Sequence, residues 1–130
     1  MVKGNENAMS RVYVAVPMRG FEDLNRPLAE QIAEEVRALG HEPVIPHDIP
    51  VREHDGECPG QGEYEGDGDH SGYCYLRSDM RELLLCDAVV LAPGWRDSKG
   101  AASEYALAGA VRIPTVEYGD LEAARRDGVL

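Results

Sequence analysis

The sequence predicts a single-domain α/β fold, in which a parallel sheet of about four or five strands carries helices on both faces. Short runs rich in β-branched residues alternate with longer segments of helical periodicity, in the order βαβ, a long loop, then αβαβ. The run AVVLAPG (88–94) begins with successive apolar residues, which is typical of a strand buried on both faces of a parallel sheet. These two observations predict a Rossmann-like or flavodoxin-like arrangement.

The predicted elements follow from local sequence patterns. Apolar residues at helical spacing and a stop at Gly40 define the first helix, and Asn25 followed by Pro27 fits its start. Ser98 is placed to cap the Ala-rich helix that follows it. The predicted strands are 11–17, 42–46, 88–94 and 114–118, and the predicted helices are 24–42, 74–87, 98–113 and a last short helix or tail at 119–130.

The length and charge of the chain exclude several classes of protein. Its 130 residues suffice for one hydrophobic core, and no apolar run approaches the roughly 18 residues that span a bilayer. The segment MVKGNENAMS is polar and lacks an apolar signal core, so 1–10 is interpreted as a disordered leader and a cytoplasmic location is expected. A net charge of −11 argues against non-specific binding to nucleic acid.

Residues 47–73 form an acidic, Gly-rich stretch with almost no residues suited to a core. The stretch is too long for an ordinary connection, so it is interpreted as an insertion, a lid or a partly disordered loop inside a domain that spans 11–130. Its segment DGDHSG (67–72) resembles the start of a calcium loop, but Ser78 stands where the closing Glu of such a loop is required. A flexible acidic loop is therefore favoured.

No metal and no organic cofactor is predicted. The GxGxxG and GK[ST] motifs that bind dinucleotides and nucleotide phosphates are absent from the sequence. Cys86 lies in the apolar segment RELLLCDAVVLA and is expected to be a buried thiol. Zinc-ligand residues are present, but their spacing fits no finger or ribbon pattern. The residues considered for zinc are His54, Cys58, His70 and Cys74.

Two carboxylates stand on helix faces that should be buried. An isolated acid at such a position costs stability unless it has a partner or a role. For Asp79, and less readily for Glu104, the simpler alternative is an acid that the helix dipole favours near a helix N-terminus. The functional interpretation is a pair that flanks a substrate, one as nucleophile and the other as acid and base, as in glycosyl chemistry. The apolar neighbours at helical spacing are Ala101, Ala108 and Val111 for Glu104, and Leu76 and Leu83 for Asp79.

A candidate anion site lies at the start of the Ala-rich helix. Ser98, Lys99 and Gly100 form this start, where backbone N–H groups favour an anion. Arg19, followed by Gly20, comes after the first strand and would reach the same edge of a parallel sheet. The alternative is that Ser98 only caps the helix and that Arg19 is solvated.

Three segments of the chain, YVAVPMRG (13–20), SDMRELLLCDAVVLAPGW (78–95) and DSKGAASEYALAGAVRIP (97–114), resemble the nucleoside 2-deoxyribosyltransferase superfamily. The resemblance covers about residues 11–118 apart from the acidic loop. It is closest to an uncharacterised bacterial and phage branch, related to nucleoside 5′-monophosphate N-glycosidases. Members often complete their site with residues of a neighbouring subunit, so the resemblance implies a homodimer or larger homo-oligomer.

The resemblance also implies roles for individual residues. Glu104 corresponds to the catalytic glutamate of the family. Asp79, which stands eight residues before Asp87, corresponds to its catalytic aspartate. The implied substrate-binding residues are Tyr13 near the sugar, Arg19 and Gly20 after the first strand, Ser98 at a phosphate and Asp97 as a further pocket acid, to which the anion site adds Gly100.

The function expected from these residues is hydrolysis of the base–sugar bond of a nucleoside 5′-monophosphate through a covalent glycosyl intermediate on Glu104. One alternative is base exchange by a nucleoside 2-deoxyribosyltransferase. Others are a non-catalytic nucleotide-binding module and a scaffold whose acidic loop binds a basic partner. The expected partner is a small-molecule nucleoside or nucleotide, with no nucleic acid and no membrane.

Overall fold

The computed structural model describes residues 9–49 and 73–130. The interpretations of residues 1–10 as a leader and of 47–73 as a lid or flexible loop fall mostly outside the described residues. The calcium-loop segment and three of the four residues considered for zinc lie outside them as well. The fourth, Cys74, is buried.

The sheet in the described residues consists of four parallel strands, β1 (Arg11–Ala15), β2 (Glu42–Val44), β3 (Ala88–Leu91) and β4 (Thr115–Glu117). Their order across the sheet is β2-β1-β3-β4. Tyr13 of β1 pairs with Val44 on one side and with Val89 on the other, so β1 is an interior strand. The arrangement confirms the predicted α/β fold with a parallel sheet.

Helices cover both faces of this sheet, as the sequence predicts. They are α1 (Arg26–Ala38), α2 (Tyr73–Leu83), α3 (Lys99–Ala110) and α4 (Leu121–Arg126). Residues of α1 and α4 share a core with Val12 and Val14, whereas residues of α2 and α3 share a second core with Tyr13 and Ala15. Successive side chains of a strand point to opposite faces, and this alternation along β1 separates the two cores.

Several elements are shorter than predicted. β1 ends before Pro17, which has no N–H to donate to a neighbouring strand. β3 ends before Gly94, which has a left-handed φ of 84° that suits glycine. α3 ends at Ala110, so Val111 lies beyond the helix and is 47% exposed. The expectation that Val111 shares the buried stripe of Glu104 is therefore wrong.

The two predicted helix starts behave differently. Asn25 occupies the N-cap of α1 but makes no capping bond, because it lies in a 3-10 turn (Glu22–Asn25) with left-handed backbone. Its Nδ2 instead donates to the carbonyl oxygen of Pro17 at 2.9 Å. Ser98 caps α3 as predicted, since its Oγ accepts a bond from the backbone N–H of Ala101 at 3.1 Å.

The topology places a crevice beside β1. The connection through α1 leads to β2 on one side of β1, and the connection that includes α2 leads to β3 on the other. Ligands of doubly wound sheets bind at such a switch point, beyond the carboxyl ends of the strands. The segments that follow there are 16–25 after β1 and 92–98 after β3. No helix within 9–49 and 73–130 is long and apolar enough to cross a membrane.

Candidate active site

A cavity of about 550 Å³ opens beyond the carboxyl ends of β1 and β3. Three parts of the fold form most of its wall: the loop after β1, the buried side of α2, and the turn that leads from β3 into α3. The side chains that this arrangement brings to the cavity include Arg19 and Phe21 from the first part, Tyr75, Leu76 and Asp79 from the second, and Asp97, Ser98, Lys99 and Glu104 from the third.

Glu104 is a buried carboxyl group with a partner on the central strand. Only 4% of its surface is exposed, at the cavity wall. The hydroxyl of Tyr13, which is fully buried, donates a hydrogen bond of 2.7 Å to Glu104 Oε2. The alanines around it on α3, Ala101 and Ala108, are buried as well. The predicted inward orientation of Glu104 is confirmed, and its cost in desolvation is partly offset by Tyr13.

Neither carboxyl group is explained by the helix dipole. Glu104 is the sixth residue of α3 and Asp79 the seventh residue of α2. The favourable interaction between an acid and a helix N-terminus falls off within the first turn. Both groups therefore lie too far from the N-terminal ends of their helices for this alternative.

Burial raises the pKa of both carboxyl groups. Loss of hydration raises the pKa of Glu104 to about 8, while the hydrogen bond from Tyr13 acts to lower it. Burial, and then the negative charge of Glu104, raise the pKa of Asp79 to about 9. Burial and the nearby carboxylates also raise the pKa of Tyr13 well above its usual value, so the hydroxyl remains a donor. The hydrogen bond from Tyr13 favours the ionised form of Glu104, whereas burial and the charge of Glu104 both favour the protonated form of Asp79.

The same cavity wall carries positive charge. Arg19 and Lys99 both line it, and Asp97 contributes a negative charge beside them. Ser98 and Gly100 line it too, where the first N–H groups of α3 carry partial positive charge. The interpretation of Ser98 as a helix cap is correct, and the residue faces the cavity in addition.

The cavity brings together most of the residues that the sequence singles out. Two of them do not line it. Tyr13 lies behind Glu104 with no exposed surface, so it is connected to the cavity through that carboxyl group. Gly20 follows Arg19 with a left-handed φ of 87°, and its contribution is the turn of the backbone. The predicted residues that do line the cavity are Arg19, Asp79, Asp97, Ser98, Gly100 and Glu104.

Sequence reasoning missed the apolar part of the cavity wall. Tyr75 stands four residues before Asp79 on the same helix, and that spacing was a usable signal. Phe21, which is 49% exposed, follows Arg19 in the same loop and was a second signal. Pro46 had none, because only the order of the strands places the end of β2 beside the end of β1.

The remaining titratable groups give no indication of a metal site in the described ranges. Within 9–49 and 73–130, no three His, Cys, Asp or Glu residues are placed to hold a metal ion. Cys86 is a buried thiol, as predicted, and burial raises its pKa to about 11. Its Sγ donates to the carbonyl oxygen of Glu82 at 3.3 Å, outside the cavity lining.

The fold and the cavity define an α/β protein with two carboxyl groups, one buried and one partly buried, in a cavity at the switch point of a parallel sheet. A family model described as a domain of unknown function, DUF4406, matches residues 65–117, which is less than half of the chain. The solved structure of a 2-deoxyribosyltransferase from the psychrotolerant bacterium Bacillus psychrosaccharolyticus is similar, with a TM-score of 0.55 and 19% sequence identity. The similarity covers 83% of this chain and 71% of that one, and it confirms the fold. No curated protein matches the sequence significantly.

Proposed function

We propose that this chain is an N-glycosidase that cleaves the base–sugar bond of a nucleoside 5′-monophosphate through a covalent intermediate on Glu104. The observation that carries the proposal is that the buried Glu104 and the partly buried Asp79 line one cavity with Arg19 and Lys99. Enzymes that break glycosidic bonds commonly use two carboxyl groups whose environments give them different protonation states. The fold shared with a 2-deoxyribosyltransferase agrees with this chemistry.

In the first step, the Glu104 carboxylate attacks C1′ of the sugar. A bond forms between C1′ and a carboxylate oxygen while the bond between C1′ and the base nitrogen breaks. The electron pair of that bond leaves with the base, and Asp79 gives its proton to the base. Tyr13 supports this step, because its hydrogen bond stabilises the ionised form of Glu104 before the attack.

In the second step, water attacks C1′ and the bond to Glu104 breaks. The Asp79 carboxylate takes a proton from the water, so both carboxyl groups return to their starting states. The products are the free base and the sugar 5-phosphate. No cofactor takes part in either step.

The two steps set an expected pH dependence. The reactive form has Glu104 ionised and Asp79 protonated, and the pKa values of the pair are about 8 and about 9. The rate of base release should therefore follow a bell-shaped pH profile with its maximum on the alkaline side of neutrality. The apparent pKa values of its two limbs belong to the coupled pair and not to either residue alone.

The direct test incubates the pure chain with a panel of nucleosides and 5′-monophosphates, with and without a free acceptor base. Base release is followed by chromatography. Release that needs a 5′-phosphate and no acceptor supports the proposed hydrolase. No release from any member of the panel, together with ligand-induced thermal stabilisation, would replace it with a non-catalytic nucleotide-binding module.

Base exchange is the second candidate, because the similar solved structure is a 2-deoxyribosyltransferase. In that reaction an acceptor base replaces water in the second step and loses its proton to Asp79. Turnover that requires the acceptor base and yields a new nucleoside would favour it. The homo-oligomer expected from the resemblance stays a prediction, which light scattering of the pure protein tests.

Arg19→Ala and Lys99→Ala are each expected to raise the KM for a 5′-monophosphate about tenfold, because each removes one charge-assisted contact to the phosphate. The KM for the unphosphorylated nucleoside should stay within about twofold. Steady-state kinetics with both substrates measures this difference. Arg37→Ala, which removes an exposed arginine of α1 paired with Glu34, is the matched control. Equal losses for both substrates would contradict the phosphate assignment.

Tyr13→Phe is expected to move the acidic limb of the pH profile to higher pH. The variant keeps the ring in the core but removes the hydrogen bond that lowers the pKa of Glu104. At neutral pH the rate should fall about tenfold, and it should recover as the pH rises. The measurement is kcat/KM against pH, with Tyr118→Phe as a control that removes a hydroxyl bonded to Glu35. A profile of unchanged shape would mean that Tyr13 is structural only.

A further inference from the structure

Trp95 connects the cavity wall to the rest of the fold, although its own side chain does not line the cavity. It is the single tryptophan of the chain and is 6% exposed. It begins the 3-10 turn Trp95–Asp97 that joins β3 to α3. On either side of it, Gly94 and Asp97 line the cavity. Whatever fixes Trp95 therefore also fixes a segment of the cavity wall.

Three side chains hold the ring of Trp95. The ring of Tyr105 on α3 lies 4.5 Å away between centroids, tilted by 39°. The guanidinium carbon of Arg96 lies 4.6 Å from the Trp95 ring centroid, within cation–π range. Trp95 Nε1 donates to the two carboxylate oxygens of Glu117, each at 3.3 Å. Arg96 also donates to Glu117, at 3.5 Å, so the end of β4 holds the first two residues of the turn.

The backbone extends this attachment to the start of α3. The N–H of Trp95 donates to the carbonyl oxygen of Ala92 at 3.2 Å, and the N–H of Ser98 donates to that of Trp95 at 3.1 Å. Ser98 then caps α3 through its Oγ. Ser98, which caps α3, is thus hydrogen-bonded to Trp95, the residue that Tyr105 and Glu117 hold in place.

We propose that Trp95 is a positioning residue, which with Glu117 holds Ser98 and the first N–H groups of α3 in place for an anionic group in the cavity. The proposal rests on the proposed function, because it states what sets the affinity for the phosphate end of the substrate. Loss of the Glu117 contact frees the turn to shift, which weakens binding at the turn. Glu104 and Asp79 stand in the middle of their helices, so the chemical step is expected to be spared.

Glu117→Ala is the principal test variant. The side chain of Glu117 is 43% exposed, so its removal leaves the core filled, whereas a change at Trp95 itself risks unfolding. Inorganic phosphate is titrated into the full chain and binding is followed by the emission of Trp95, the single tryptophan. We expect saturable binding by the wild-type chain and an about fivefold higher Kd in the variant.

Two further variants separate positioning from a general structural effect. Glu117→Gln keeps an oxygen that accepts from Trp95 Nε1, so its Kd should return to within about twofold of wild type. Glu122→Ala removes another exposed carboxylate that pairs with an arginine, on α4 and outside the cavity lining, and should leave the Kd unchanged. In steady-state assays of Glu117→Ala, KM for a 5′-monophosphate should rise about fivefold with kcat within about twofold.

Several results would contradict the positioning role of Trp95. Equal Kd values for wild type and Glu117→Ala, failure of Glu117→Gln to restore binding, or a fall in kcat at unchanged KM would each do so. The absence of saturable phosphate binding by the wild-type chain would do so as well. The proposed function can fail on its own. In that case no nucleoside or nucleotide would release its base, while the chain would still bind phosphate in a way that depends on Glu117.

Discussion

Glu104→Gln is expected to lower the rate of base release at least about a thousandfold. The amide oxygen of glutamine is a much weaker nucleophile than a carboxylate, yet it still accepts the hydrogen bond of Tyr13 and fills the same space. Initial rates at saturating substrate, followed by chromatography of the free base, measure the loss. A variant that retains a rate within tenfold of wild type would rule out the covalent role of Glu104.

The matched control for this experiment is Glu82→Gln. Glu82 is another poorly exposed glutamate, with 15% of its side chain accessible, and it pairs with Arg11 at 3.3 Å. It does not line the cavity. We expect its rate of base release to equal that of the wild-type chain. A comparable loss in both variants would mean that the measured effect comes from the fold and not from the site.

Chemical rescue separates the roles of the two carboxyl groups. Glu104→Ala with added azide should regain turnover and form a glycosyl azide, because the small anion can occupy the vacated space and bond to C1′. The rate of base release by Asp79→Asn should depend instead on the leaving group. The rate should fall least with a base that departs without protonation. A glycosyl azide formed only by Asp79→Asn, with inverted configuration at C1′, would exchange the two assignments, because azide would then have taken the place of Asp79 as the nucleophile.

The sequence predicted Glu104 well because its environment is local. The alanines at helical spacing around it belong to the same helix, so periodicity alone places the carboxyl group inward. The sequence could not predict the hydrogen bond from Tyr13, which joins residues 91 positions apart. That contact depends on the packing of α3 over β1, and no periodic pattern encodes it.

The limits of the sequence prediction are clearest at the ends of the elements. Val111 continues the spacing of the buried stripe, but α3 has already ended there and the side chain is exposed. Likewise Trp95 lies in a segment that reads only as a loop. Its attachment to Glu117 becomes visible only when β4 is placed beside β3. Local spacing therefore identified the two carboxyl groups that line the cavity, and tertiary packing determined which residues contact them.

The free energy of unfolding of the wild-type chain is expected to fall as the pH rises from about 4 to about 9, because of the two cavity carboxyls. In the folded chain their pKa values are raised to about 8 and about 9, from ordinary values of 4.5 and 3.8. Between these limits the folded state binds more protons than the unfolded state, so stability decreases with pH. The contribution is fully present below the ordinary values and is lost as the pH passes through the raised ones.

Glu104→Gln should remove the part of this pH dependence that belongs to Glu104, because glutamine is neutral at every pH. Relative to wild type, the variant should gain roughly 3 kcal/mol of stability between pH 5 and pH 8. Urea unfolding of both chains at several pH values measures the difference, and parallel curves would contradict it. A variant that is more stable than wild type at pH 8 but inactive would mean that the buried carboxylate weakens the fold at its working pH. The carboxyl group would then be explained by the reaction it performs and not by the packing around it.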